Sequence, residues 1–238
     1  MVLIEQNSVP GLANRMLYPF SSLTVLNFRY SKRWFRRGVV IGNPVDAAIG
    51  NADRKEALRF FGLDPAKPVV LIIGGSQGAK GLNEVVLKAL RNLSDCGVLW
   101  AAGRKHFAEV KSRLTGDTKR VVLVDFIERM DLAWAAADVA VCRSGAATVS
   151  EMKKVGVPAV LVPYPHATDD HQYHNAKELE ENGLAKVIRE EDLTPDGLAG
   201  AVRSIFAEYG RYKDCFAKTG ESGVNDRIVT AIMKLAPM

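Results

Sequence analysis

The chain reads as an α/β protein organised on a doubly wound parallel sheet, and three observations carry that reading. From Val69 onward, short apolar runs alternate with amphipathic helical patterns, the order of repeated βαβ units. Several of these runs end in Gly-rich or polar turns, the segments that line a ligand crevice at the carboxyl ends of parallel strands. At 238 residues, 47% hydrophobic and 25% charged, the chain can bury one full domain core with a smaller attached piece.

Taken in order, Met1 leads straight into a short strand and a polar turn, and residues 8–20 read as a turn and a helix. Residues 23–28 and 39–41 are short strand-like runs, after which Asn43-Pro44 breaks the pattern and opens a polar helix over residues 51–61. In the main domain, strands are expected near residues 69–73, 98–101, 121–124, 139–142, 159–162 and 185–188. Helices lie between and after them; Leu82, Val86, Ala89, Leu90 and Leu93 show the spacing. The tail, Ile228, Val229, Ile232, Met233 and Leu235, is an amphipathic helix.

No apolar run approaches the ~20 residues of a membrane span, and no signal peptide is visible, so a cytosolic or peripheral location is expected. Cys96, Cys142 and Cys215 are odd in number and widely spaced, which points to reduced thiols rather than a disulfide framework. The net charge of +5 is mildly basic, but residues 29–37 concentrate five positive charges with three aromatics. Such a segment suits anionic lipid headgroups or nucleic acid, but a solvated loop and helix end before the next strand is the preferred account, since short charge runs usually just face water.

Three segments carry chemistry. Residues 139–151, Val-Ala-Val-Cys-Arg-Ser-Gly-Ala-Ala-Thr-Val-Ser-Glu, are a buried strand feeding a small-residue turn and a helix. Free N–H groups around Gly145, Ala146 and Ala147 suit a diphosphate, and Glu151, about 1.5 turns into the helix, suits the two hydroxyls of a ribose. An ordinary strand and helix with a solvated Glu is the plain alternative. Residues 68–79 end a second apolar strand in Gly74-Gly-Ser-Gln-Gly-Ala, a second phosphate cradle that fits neither a Walker loop nor a GxGxxG fingerprint. Residues 159–175 place Tyr164, His166, Asp169, Asp170, His171, Gln172 and His174 directly after a third strand. His171 and His174 share a helical face, but no further soft ligand stands nearby, so no metal is expected.

These segments, with Glu5-Gln-Asn7, Gly42-Asn-Pro-Val45, Thr148-Val-Ser-Glu151, Pro163-Tyr-Pro-His166 and Asp170-His-Gln172, resemble the MurG family in order and over nearly the whole chain. The resemblance implies a GT-B fold and an inverting, metal- and cofactor-independent transfer. N-acetylglucosamine passes from UDP-N-acetylglucosamine to undecaprenyl-diphosphate-MurNAc-pentapeptide (lipid I) to give lipid II, at the cytoplasmic face of the bacterial plasma membrane. It implies as partners the donor, lipid I and an anionic inner-membrane surface, with no nucleic acid.

The resemblance divides the chain into residues 1–46, a remnant of an acceptor-side N-terminal domain, residues 47–220, the donor-binding Rossmann-like domain, and residues 221–238, a helix crossing back toward the first. Carried over by motif, Asn7 lies at the sugar end of the donor, Ser76 at the diphosphate, and Ile127 at the uracil through its backbone. Ala146, Ala147, Thr148, Val149, Ser150 and Glu151 form the diphosphate and ribose segment. Gln172 suits the 3- and 4-hydroxyls of N-acetylglucosamine, and His171 a neighbouring position.

Arg143 is expected in a salt bridge below the site. Where the family has Arg after Gly-Asn-Pro-Val, this chain has Asp46, which would repel the phosphates unless Arg104 or Lys80 compensates. Where the family has His before the Glu of the first motif, this chain has Ile4. No acceptor-activating base is identifiable. A non-catalytic UDP-sugar-binding subunit that needs a separate N-terminal acceptor domain is the alternative, and the absence of an acid–base carboxylate pair speaks against an epimerase of the same fold.

Overall fold

The computed structural model describes residues 1–75, 78–116, 118–219 and 223–235. Its main sheet is six-stranded and parallel throughout: β4 (Val69–Ile73), β5 (Gly97–Ala101), β6 (Val121–Val124), β7 (Val139–Cys142), β8 (Ala159–Leu161) and β9 (Ala185–Val187) stand in the order β6-β5-β4-β7-β8-β9. The chain moves outward from β4 to β6, then returns to lay β7 against β4. The crevice between those two strands is therefore the topological switch point of the sheet.

Alternate side chains of each strand feed two separate cores, as the two-residue period of a strand requires. Val69, Leu71, Ala140, Cys142 and Leu161 pack on one face against α2 (Arg54–Phe61), α5 (Met130–Ala136), α6 (Ala146–Val155) and α7 (His171–Glu181). Val70, Ile72, Val139, Val141 and Val160 pack on the other against α3 (Lys80–Ala89), α4 (Phe107–Arg113), α8 (Pro195–Ala207) and Tyr212 of α9 (Tyr209–Ala217). Covered on both faces, β4 to β8 have no polar side and read as unbroken apolar runs.

A second parallel sheet precedes this domain, with β1 (Val2–Glu5), β2 (Leu23–Leu26) and β3 (Val39–Val40) in the order β1-β2-β3. Of the turn and helix expected over residues 8–20, the helix is α1, Leu12–Leu17, followed by a 3₁₀ turn, Tyr18–Phe20. Residues 8–10 form the loop before it, around which the buried carboxylate of Glu5 accepts the N–H groups of Asn7 at 2.9 Å and Gly11 at 3.2 Å. The helix expected from residue 51 starts at Arg54, where Asp53 caps it by accepting the Glu56 N–H. Cys96, Cys142 and Cys215 are free thiols.

Polar contacts join the two sheets. Asn175, fully buried in α7, accepts the N–H and hydroxyl of Ser8 at 2.8 and 2.7 Å and donates to Ser144 O and Asn7 Oδ1. Glu178 receives the N–H groups of Arg29 and Tyr30 at 2.8 and 3.0 Å, and Asn27 donates to Ser150 Oγ. On the small sheet, Val224 and Ile228 of α10 (Val224–Met233) pack with Val25 of β2.

In the basic segment, Arg29, Lys32, Arg33, Arg36 and Arg37 are exposed. Its aromatics are engaged by the fold: Phe35 is fully buried, Tyr30 stacks on His174 at 4.8 Å, and Trp34 lies beneath Arg15. Of its cations, Arg33 lies over the Tyr30 ring at 4.1 Å and Arg37 over the Tyr18 ring at 5.3 Å. Among the described residues, no helix is long and apolar enough to cross a membrane.

Candidate functional site

A cleft of about 560 Å³ opens at the carboxyl ends of β4, β7 and β8, lined by Gly74, Gly78, Lys80, Arg143, Thr148 and Gln172 among others. Its first wall is the turn after β4. Gly78 sits at φ 74°, and a methyl group there would run into the carbonyl oxygen of Ala102; one on Gly74 would reach within 2.7 Å of Ala79 N. The backbone can take this path only without side chains. Ser76 lies outside the described residues.

The second wall is the start of α6. Gly145 stands at the N-cap in extended conformation and offers no side chain to the first turn, so the N–H groups of Ala146, Ala147 and Thr148 have no capping side chain from that residue. Thr148 and Gly145 line the cleft. The side chains of Val149 and Ser150 do not: Val149 is fully buried in the core, and the Ser150 hydroxyl donates to Ala146 O at 2.7 Å.

Glu151 follows Thr148 by three residues on the same face of α6. It is half-buried, and its Oε2 accepts the indole N–H of Trp134 at 2.7 Å. Burial raises its pKa; the Trp134 bond opposes this, and the charge of Asp46 adds to it. Asp46 is thus within electrostatic reach of Glu151, with its Oδ1 closing a turn on the Ala48 N–H and its carbonyl accepting from Lys154. Of the two cations weighed against it, Lys80 lines the cleft, while Arg104 lies over the Phe126 ring at 4.9 Å.

The third wall follows β8. Gln172 accepts the Tyr164 N–H on Oε1 at 3.0 Å, which aims its amide along the cleft, and its carbonyl accepts the Ser144 hydroxyl at 2.7 Å. His166 joins this wall. His171 is turned back, its Nδ1 2.8 Å from Thr168 O. Asp169 and Asp170 both have positive φ, 52° and 51°, and pair with Arg15 and Arg189 respectively. Two consecutive non-glycine residues in this region store strain that the fold maintains beside the cleft.

Ile127 lies in the turn between β6 and α5 with its side chain in the core beside Leu132 and Trp134. Asn7 is tied to Asn175 at 3.2 Å. Arg143 does form a salt bridge, to Glu190, and also donates to Val162 O and Pro163 O at the floor of the cleft. Among the described residues, no three His, Cys, Asp or Glu side chains converge as a metal-binding set.

Sequence reasoning missed Trp134, Asn175 and Glu190. Trp134 and Glu190 reach their partners from distant elements, with no local signal. Asn175 carried one: it follows His171 by a helical turn and stands in the middle of an otherwise apolar packing face.

Residues 69–228 match the family model described as the glycosyltransferase family 28 C-terminal domain. The chain is 38% identical over 232 residues to the UDP-N-acetylglucosamine--N-acetylmuramyl-(pentapeptide) pyrophosphoryl-undecaprenol N-acetylglucosamine transferase of Aquifex aeolicus, covering 96% of this chain and 66% of that protein. It is 39% identical to the transferase of the same name from Nocardioides sp., covering 89% and 59%. The crystal structure of Acinetobacter baumannii MurG superposes with a TM-score of 0.78 at 27% identity, covering 98% of this chain and 66% of that one. Os79 from O. sativa, solved with UDP, superposes with a TM-score of 0.69 at 14% identity, a likeness of fold alone. The chain spans about two thirds or less of the length of these relatives.

Proposed function

The chain belongs to the glycosyltransferase family 28 C-terminal domain family, and on that premise we propose that its cleft binds UDP-N-acetylglucosamine for transfer of the sugar to undecaprenyl-diphosphate-MurNAc-pentapeptide. The observation that carries this is that Gly74, Gly75, Gly78 and Ala79 after β4 and Gly145 and Thr148 at the start of α6 line one cleft at the switch point, with Glu151 one turn further along α6. The small-residue backbone takes the diphosphate at the start of α6, where exposed N–H groups and the helix dipole favour negative charge. Glu151 Oε1 and the remaining acceptor capacity of Oε2 suit ribose hydroxyls. The Ile127 backbone meets the uracil, and Gln172, with His171 and Asn7 nearby, faces the sugar.

Displacement at the anomeric carbon by the acceptor hydroxyl inverts its configuration and releases UDP. The preorganised N–H groups stabilise the charge that develops on the leaving diphosphate. The exposed cations of residues 29–37 suit an anionic membrane surface bearing the lipid-linked acceptor, on the cytoplasmic side.

A second reading keeps the donor site but assigns catalysis to a complex with a separate acceptor-binding domain. It is favoured by the edges of the small sheet, where β1 and β3 each pair with β2 alone among the described residues. Isothermal titration with UDP-N-acetylglucosamine, without metal, tests the donor site; absence of binding would sink both readings. UDP release with a soluble lipid I analogue, measured with and without the N-terminal part of a relative, separates them. Turnover by the chain alone selects the first.

A further inference from the structure

A carboxylate of the protein lies against the start of α3. Glu190 follows β9 and opens the 3₁₀ turn Glu190–Asp192, and its side chain reaches into the cleft. A methyl group on Gly81, the second residue of α3, would collide with Glu190 Oε1. The same carboxylate pairs through Oε2 with Arg143.

Arg143 is 8% exposed and donates from its other terminal nitrogen to Val162 O at 3.2 Å and Pro163 O at 3.0 Å. Those two carbonyls fix the guanidinium and leave one edge for an anion. The partial positive charge of the α3 start and this guanidinium together favour a carboxylate there. A phosphate meets the same groups with greater charge.

We propose that Glu190 is a placeholder for the donor diphosphate, which displaces it as Arg143 exchanges a carboxylate for a phosphate oxygen. The proposal rests on the reading of this cleft as a nucleotide-sugar site. Glu190 then limits donor affinity: its charge opposes the entering phosphates and competes for Arg143. Its side chain is 26% exposed, which gives it a solvent side to retreat to. An empty site thus keeps its buried guanidinium paired, which avoids the cost of an isolated buried charge.

The test is calorimetric titration of the full chain with UDP and with uridine, which shares the base and ribose but lacks phosphate. Glu190→Gln should bind UDP about tenfold more tightly with uridine unchanged, because one repulsive charge is gone. Glu190→Asp, which keeps the charge but withdraws it from Gly81, should fall between. A merely structural role would move both nucleotides together. If the folded variants keep the parent's UDP-to-uridine ratio, or lower it, the proposal is overturned while the donor site stands. If the parent binds neither nucleotide, the donor reading falls and takes this proposal with it. Should Glu190→Gln not fold, the ratio for Glu190→Asp decides.

Discussion

Trp134 donates its indole N–H to Oε2 of Glu151 at 2.7 Å, tying α5 to α6 beside the cleft. The bond fixes the carboxylate in one rotamer and leaves acceptor capacity on both oxygens. A side chain held in this way is preorganised for a ligand, so its removal should be felt as lost affinity more than lost fold.

Glu151→Ala is therefore expected to weaken UDP binding by about 1.5 to 3 kcal/mol, the range for a hydrogen bond to a charged group. Calorimetry gives the number. Equal affinity for parent and variant would remove Glu151 from the ribose site.

The same residue makes stability pH-dependent. Burial holds its carboxyl above the ordinary value of 4.5, and Asp46 pushes the same way. As pH rises past that ordinary value, the unfolded chain releases the proton first, so the folded state loses stability until pH exceeds the raised folded value; below 4.5 there is no penalty. Glu151→Gln, which is always neutral, should then gain thermal stability relative to the parent at pH 7 but not at pH 4. The same difference in Tm at both pH values would contradict the account.

The charge of Asp46 acts on Glu151, and on the proposed donor reading it also meets the diphosphate. Asp46→Arg should tighten UDP binding and steepen its dependence on salt, because a repulsion becomes an attraction that counterions screen. A dissociation constant that matches the parent's across a salt series would show that the charge is felt by Glu151 and not by the ligand.

Asn175→Ala leaves the N–H and hydroxyl of Ser8 and the carbonyl of Ser144 without their partner at buried positions. A loss of about 3 kcal/mol is expected. Urea denaturation should show a lower midpoint at unchanged slope; a midpoint within experimental scatter of the parent's would mean that water replaces the side chain.

How much of this was legible beforehand follows from range. The inner strands of the main sheet were readable because residues such as Val70 and Leu71 are buried on opposite faces, which leaves those runs apolar throughout. The start of α6 was readable because Gly145-Ala-Ala is local chemistry. The anchoring of the loop before α1 was not, since Glu5 and Asn175 hold residues 7 and 8 through contacts that local propensity does not contain. The turned-back ring of His171 and the inward Val149 and Ser150 side chains likewise became visible only once the helices had neighbours.

One consequence of the Asn175 contacts reaches across the molecule. The Gln172 carbonyl holds the Ser144 hydroxyl, the Ser144 carbonyl holds the Asn175 amide, and that amide holds Asn7 at the end of β1. The links form an unbroken linkage of directional bonds from the turn that leads into α6 to the segment after β1. Tension applied at the Ser144 turn is handed on to Asn7, so whatever occupies the mouth of one sheet also sets the aim of the other.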